Sequence, residues 1–147
     1  MAETDPLPAH ERDFVQFIIH GAASVTPADV HALVRRLPEL RDRFQKVDAP
    51  GFPRAPEQLS FLADVVESFA AGGCPALPYV AAAEAAFALL YLQRDVDVIP
   101  DFVPKIGFVD DAAVASTVLA RHATEFSDYA AQKGTNWEQI DPAREET

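Results

Sequence analysis

The chain has 147 residues, a mass of 16.0 kDa and 49% hydrophobic residues, which is enough to bury the core of one compact domain, residues 1–147. Its formal net charge of −11 and pI near 4.6 oppose attraction to phosphate backbones and anionic lipids, so we predict no nucleic-acid partner and disfavour membrane association. The single cysteine, Cys74, cannot form an intramolecular disulfide, and the polar, acidic N-terminus is unlike a signal peptide, which predicts a cytoplasmic protein.

Proline and glycine divide the chain into segments of helical periodicity, without the alternation that is typical of strands. This pattern predicts an all-α fold of about five helices, with a Pro- and Asp-rich loop between the last two main helices. The first helix runs from about Ala9 to Ala22, and its apolar side consists of Phe14, Phe17, Ile18 and Gly21.

The second helix has a clear start signal. Thr26 can cap it, Pro27 suits the first helical position because its missing N–H would be unpaired there, and Asp29 lies in the first turn. Pro38 lacks a backbone donor, so we expect the helix to end or kink at Leu37 and the following segment to restart as a helix.

Three more helices and a tail complete the chain. The third helix covers about Pro56 to Ala71, and the fourth covers Tyr79 to about Arg94. The fourth is rich in alanine, and we expect it to be central because small side chains let neighbouring helices approach closely. The fifth covers about Asp111 to Gln132, and in the tail after it we expect Trp137 and Ile140 to dock back on the core.

The loop "DVDVIPDFVPKIGFVDD", residues 95–111, concentrates aspartates and prolines. A structural interpretation needs no ligand, because the prolines bend the chain and the aspartates satisfy backbone donors. In this interpretation Asp97 caps a short turn and Asp110 caps the last helix, while Asp111 lies in its first turn, where a negative charge is favourable.

The same carboxylates also permit a metal site. Hard oxygen ligands suit Mg²⁺, Ca²⁺ or Mn²⁺, although the spacing does not match an EF-hand loop. The protein would then bind a divalent metal or be a metal-dependent hydrolase. The candidate ligands are Asp97, Asp101, Asp110 and Asp111, with Asp95, Glu84 and His122 in supporting positions.

The order of residues around this loop resembles the core motif of the YkvA-like family, a widespread bacterial domain of unknown function. The motif reads Tyr91, then Asp97-x-Ile99-Pro100-Asp101-Phe102-x-Pro104-x-x-Gly107-x-x-Asp110-Asp111. The resemblance extends over about residues 76–115 and implies a small helical domain, with no reaction to carry over. It makes Tyr91, Pro100, Pro104 and Gly107 structural motif positions, and it departs at Asp95, where members commonly have proline.

Glu84 and His122 are isolated polar residues in apolar helices. Glu84 stands alone in "YVAAAEAAFALLYL", and we expect its side chain to reach solvent. If it is buried it needs a partner, such as Arg94 or His122, because an unpaired buried charge is costly. His122 lies on the apolar face of the last helix, which predicts a core histidine with a hydrogen-bonded partner rather than a metal ligand or general base.

A basic segment stands out in this acidic chain and consists of Arg35, Arg36, Arg41, Arg43 and Lys46. Solvated helix faces are the usual explanation of such a segment. The alternative is a binding surface for an acidic partner, or for the acidic motif of a second copy of this chain.

The sequence contains no complete catalytic set, phosphate-binding glycine loop or dinucleotide fingerprint. Its reaction, if any, is therefore unknown, and we favour a protein that is not an enzyme. The favoured hypothesis is a helical interaction module without a cofactor, which binds an unknown protein partner or itself. The alternatives are the divalent-metal protein or hydrolase described above and a peripheral membrane-associated protein.

Overall fold

The computed structural model describes residues 9–49, 51–73, 76–98 and 109–144, and every regular element within these ranges is helical, which confirms the all-α prediction. Two 3₁₀ turns, Trp137–Gln139 and Pro142–Arg144, follow the last helix. The helices are α1 (Ala9–Ala23), α2 (Pro27–Phe44), α3 (Ala55–Ala70), α4 (Tyr79–Val98), α5 (Val109–Arg121) and α6 (Ala123–Lys133).

The start of α2 has the predicted capping residues. The Thr26 hydroxyl accepts a hydrogen bond from the Asp29 backbone N–H at 3.1 Å, and the Asp29 carboxylate accepts one from the Thr26 N–H at 3.0 Å. Pro27 occupies the first turn. This reciprocal capping box satisfies backbone donors that the helix itself leaves unpaired.

The continuation of α2 through Pro38 differs from the expected interruption at Leu37. The helix runs on to Phe44, and its buried residues lie on both sides of the proline. An internal proline costs about 3 kcal/mol through its lost hydrogen bond and steric clash. Burial of large apolar side chains, at about 1.5–3 kcal/mol each, offsets that cost. These side chains are Leu33, Leu37, Leu40 and Phe44.

Helix α4 packs against α1, α2, α3 and α5, in agreement with its predicted central position. Its alanines are buried along most of its length and keep the neighbouring helices close. On the α1 side, Gly21 lies against the ring of Phe87, where an added Cβ would stand 2.1 Å from a ring carbon. Only a residue without a side chain fits this contact in the observed arrangement.

The predicted fifth helix is two helices. The break between α5 and α6 falls at His122, whose backbone angles of φ −125° and ψ 38° leave the helical region. No glycine or proline marks this position in the sequence, so periodicity alone predicts one helix. The two residues at the junction, Arg121 and His122, both contact Glu84 of α4, a long-range contact that periodicity does not contain.

The segment after α6 docks on α3 as predicted. The Trp137 ring lies 5.8 Å from the Phe61 ring, centroid to centroid, and Ile140 is buried. Gln58 of α3 and Arg54, the residue before α3, donate hydrogen bonds to the backbone carbonyls of this segment.

Within the described ranges, no single helix is both long and apolar enough to cross a membrane. The segment Asp13–Ala23 of α1 meets that test of length and composition only together with α2, and the two are bent by 98° at their junction.

Candidate functional site

Glu84 of α4 is a buried carboxylate at the centre of an ion-pair network whose partners are partly exposed. Its side chain is 0% exposed, so the expectation that it reaches solvent is wrong. Arg121 donates two parallel hydrogen bonds to it, from Nε to Oε1 and from Nη2 to Oε2, each at 3.0 Å. His122 Nε2 lies 3.1 Å from Oε1. Arg94, the other expected partner, instead lies over the ring of Tyr91 at 5.4 Å.

The two partners of Glu84 contact it in different ways. Arg121 presents the planar fork that matches both carboxylate oxygens. The ring N–H of His122 is not aimed at the carboxylate well enough for a hydrogen bond, so the 3.1 Å approach of Nε2 to Oε1 is a close polar contact only. The sequence predicts a core histidine with a hydrogen-bonded partner; His122 is only partially buried and lies beside the expected neighbour, Glu84, without an aligned hydrogen bond.

The network keeps Glu84 ionised. Burial raises the pKa of this carboxyl, but the His122 ring and the Arg121 guanidinium outweigh burial and lower the pKa from 4.5 to about 2. The hydrogen bonds to Glu84 in turn raise the pKa of Arg121. A carboxylate that is fully buried, ionised and engaged on both oxygens is poorly suited to transfer a proton near neutral pH.

The break between α5 and α6 allows two consecutive residues to reach one carboxylate. In an uninterrupted helix, neighbouring side chains point about 100° apart, so Arg121 and His122 would face different directions. The non-helical backbone of His122 changes its direction, and both side chains contact Glu84. The lone glutamate in an alanine-rich helix was the available sequence signal for this site, and Arg121 was the residue that sequence reasoning missed.

The aspartate motif is divided between two helix ends and a segment outside the described residues. Helix α4 extends to Val98, four residues beyond its predicted end at Arg94, so Asp95 and Asp97 lie in its last turn rather than in a loop. The side chains of these two aspartates are outside the described part of the structure. The motif residues Pro100, Asp101, Pro104 and Gly107 lie entirely outside the described residues.

At the other end of the motif, α5 begins at Val109. Asp110 therefore lies in the first turn, and its predicted role as the capping residue before the helix is wrong. Asp111 is also in the first turn, as predicted, and is 2% exposed, whereas Asp110 is exposed. No group of three His, Cys, Asp or Glu residues that could hold a metal ion occurs among the described residues. The side chains of Asp97 and Asp101 lie outside the described part of the structure, so the metal site stays a prediction.

The basic segment of α2 is partly used within the molecule. Arg36 pairs with Glu39 at 2.9 Å on the same helix. Arg41 bridges to α3 through Asp64 at 2.9 Å and Glu67 at 3.1 Å. The remaining members differ in exposure: Arg35 and Lys46 are exposed, and Arg43 is half-buried. The binding of an acidic partner by this segment stays a prediction.

A cluster of four aromatic rings joins α1 to α4, and we call it the aromatic surface: Phe14, Phe17, Phe87 and Tyr91. Phe17 is at its centre, with ring centroids 6.5 Å from Phe14, 5.5 Å from Phe87 and 5.7 Å from Tyr91. The sequence places Phe17 on the apolar side of its helix, and the structure shows that this side is only partly covered there, because the Phe17 side chain is 44% exposed.

Comparison with known proteins gives a partial family match to the chain. Residues 81–117 match a family described as a protein of unknown function, DUF1232. The match contains Glu84, Tyr91 and the aspartate motif but ends before Arg121 and His122. No curated protein and no solved structure matches the chain. An uncharacterised family is therefore supported for this part of the chain, and it supplies no reaction.

Proposed function

We propose that this protein is a non-enzymatic helical interaction module that associates with a second copy of itself through the aromatic surface. The observation that carries the proposal is Phe17, whose ring is 44% exposed while it contacts rings on both α1 and α4. Aromatic residues that are held by neighbouring rings and remain accessible are typical anchors of protein interfaces.

The residues that flank the aromatic surface suit a contact between identical copies. Asp13 is exposed one helical turn before Phe17, and Arg94 is exposed one turn after Tyr91. In a two-fold symmetric interface the same surface is presented twice, so a surface that carries both charge signs can offer each charge its opposite. Arg94 lies over the Tyr91 ring in a cation–π contact, which holds its guanidinium at the border of the aromatic surface.

The charge of the whole chain is consistent with an association driven by apolar contact. Two copies with a formal charge of −11 repel each other over distances comparable with the Debye length. Burial of aromatic rings must exceed that repulsion for a dimer to form. Added monovalent salt should therefore strengthen the dimer, because salt screens the repulsion but leaves the apolar contact in place.

The test compares the mass in solution of the parent chain with two single variants, by sedimentation equilibrium over a range of concentrations. Phe17→Ser should shift the protein towards the monomer. Val80→Ser is the matched control, because Val80 is 50% exposed on α4 but lies outside the aromatic surface. A parent chain that remains monomeric at every concentration, or equal dimerisation by all three proteins, would contradict the proposal.

We also infer that the partial family match corresponds to the YkvA-like motif, and hence to a cytoplasmic bacterial protein. The support is positional: the matched residues 81–117 include every residue of the motif from Tyr91 to Asp111. A comparison with further members checks this inference. Members should share the order of aspartates, prolines and glycine in residues 97–111, and a family that lacks this order would be a different one.

A further inference from the structure

Helices α1 and α4 run in opposite directions beneath the aromatic surface. Phe17 of α1 contacts the rings of Phe87 and Tyr91 of α4, with centroid distances of 5.5 and 5.7 Å. Gly21, one turn later on α1, lies against Phe87. Later positions on α1 therefore meet earlier positions on α4. The N-terminal part of α1 and the C-terminal part of α4 consequently lie at the same end of the aromatic surface.

Two exposed residues of opposite charge lie at that end. Asp13 is one helical turn before Phe17 on α1, and Arg94 is one turn after Tyr91 on α4. Neither forms an ion pair with a residue whose side chain the structure describes. Both charges are therefore accessible to a partner outside the chain.

The opposite end of the aromatic surface differs in charge. The exposed residues of α1 and α4 at that end are His20, Ala23, Tyr79 and Val80. None of them has a carboxylate, an ammonium or a guanidinium group. The carboxylate and the guanidinium that border the surface are thus at one end, and this asymmetry distinguishes the two ways in which two copies can face each other.

Two copies can bring this surface face to face about a two-fold axis that lies in the plane of contact. If the axis runs along the helices, the charged ends meet and α1 of each copy lies over α4 of the other. Asp13 of each copy then lies over Arg94 of the second copy. If the axis runs across the helices, each charged end meets an uncharged end. Both charges would then lose water without gaining an opposite charge, which is unfavourable.

We propose that two copies associate about the axis that runs along α1 and α4, with Asp13 of each copy paired with Arg94 of the second. The inference rests on the proposed self-association through the aromatic surface and adds the orientation of the two copies to it. The rings supply most of the affinity, because exposed ion pairs contribute little each. The two ion pairs select the orientation, because wrong juxtapositions of charge are disfavoured.

Two charge reversals in the full chain test the orientation by sedimentation equilibrium. Asp13→Arg makes the net charge of each copy less negative and weakens the general repulsion, whereas Arg94→Asp strengthens it. Net charge alone therefore predicts opposite effects of the two variants on the dimer. The proposed pairs predict the same effect for both, a dimer dissociation constant about tenfold higher, because each reversal places two pairs of like charges in contact.

An equimolar mixture of the two variants supplies the complementary measurement. One Asp13→Arg chain and one Arg94→Asp chain together restore two pairs of opposite charge, so they should form a heterodimer about as tight as the parent dimer. Asp128→Arg, at an exposed position on α6, is the matched control. It changes the net charge as Asp13→Arg does and should not weaken the dimer. Circular dichroism checks that every variant is helical.

The outcomes separate the orientation from self-association itself. If the parent dimerises through Phe17 but neither reversal weakens the dimer, or if the mixture stays monomeric, the proposed orientation is overturned and the aromatic surface remains an interface. If the parent is monomeric at every concentration, both proposals are overturned. Should a reversal prevent folding, Asp13→Asn and Arg94→Gln replace it, and each should raise the dissociation constant about threefold. Equal constants for the parent and both neutral variants would then overturn the orientation.

Discussion

Glu84 illustrates how a charged residue can be retained in an alanine-rich core. Removal of a carboxylate from water costs several kcal/mol, and this cost is offset only when the geometry of its partners is good. Arg121 supplies two aligned hydrogen bonds and opposite charge, and His122 supplies a further close contact. The network joins the N-terminal half of α4 to the junction of α5 and α6. Its main structural effect is therefore to fix where the C-terminal helices sit.

Loss of Arg121 should destabilise the fold more than loss of the whole pair. Arg121→Met leaves Glu84 buried beside His122 alone, and we expect a cost of about 3 kcal/mol in the free energy of unfolding. Glu84→Gln combined with Arg121→Met should recover a large part of that cost, because no uncompensated charge remains. Urea denaturation of the two single variants, the double variant and the parent chain measures this coupling, and purely additive effects would contradict it.

Acid should destabilise the protein through Glu84 in a defined pH window. The pKa of Glu84 is about 2 in the folded protein and near 4.5 in the unfolded chain, so the folded state favours the ionised form. The stabilising contribution is therefore fully present above pH 4.5 and is lost as the pH falls towards 2. The dependence of the urea midpoint on pH should be weaker in Glu84→Gln than in the parent chain across this window. Identical slopes would mean that Glu84 does not titrate in this way.

At the scale of the helices, sequence signals succeed where they act locally and fail where distant contacts decide. The capping residues at Thr26 and the small residues of α4 depend on short-range geometry, and the structure agrees with both. Continuation through Pro38 and the break at His122 depend on packing against other helices, which no local pattern contains. The candidate site follows the same division, since Glu84 could be singled out from its apolar surroundings but Arg121, distant in sequence, could not.

The N-terminal cap of α2 should contribute more to the free energy of unfolding than the first-turn aspartate of α5. Thr26→Ala removes an observed capping hydrogen bond and should lower the free energy of unfolding by about 0.5–2 kcal/mol. Thr26→Ser, which keeps the hydroxyl, is the matched control. Asp110→Ala removes only a favourable charge near a helix N-terminus, for which we expect about 0.3–1 kcal/mol. Thermal unfolding ranks the three variants, and a larger loss for Asp110→Ala would restore its predicted role as a cap.

The whole molecule carries an excess of negative charge, so divalent cations will interact with it whether or not a specific site exists. Two effects are therefore to be separated: general screening, which depends on ionic strength, and binding, which saturates with cation concentration. Asp110 is exposed and its neighbour Asp111 is buried, so these two candidate ligands face different surroundings. That arrangement favours screening over a shared coordination site.

We accordingly expect Mg²⁺, Ca²⁺ and Mn²⁺ to raise the melting temperature no more than a monovalent salt of the same ionic strength. A ligand that binds only the folded protein must stabilise it, by an amount that grows with the logarithm of its concentration once that concentration exceeds the dissociation constant. Thermal scans at constant ionic strength, with and without EDTA, measure the difference directly. Asp101→Asn is the informative variant because it removes one predicted ligand charge and nearly preserves the size of the side chain. A rise with one cation that exceeds the rise with monovalent salt at the same ionic strength, and that disappears in Asp101→Asn, would establish the aspartate motif as a metal site and would favour the metal-dependent alternative over the interaction module.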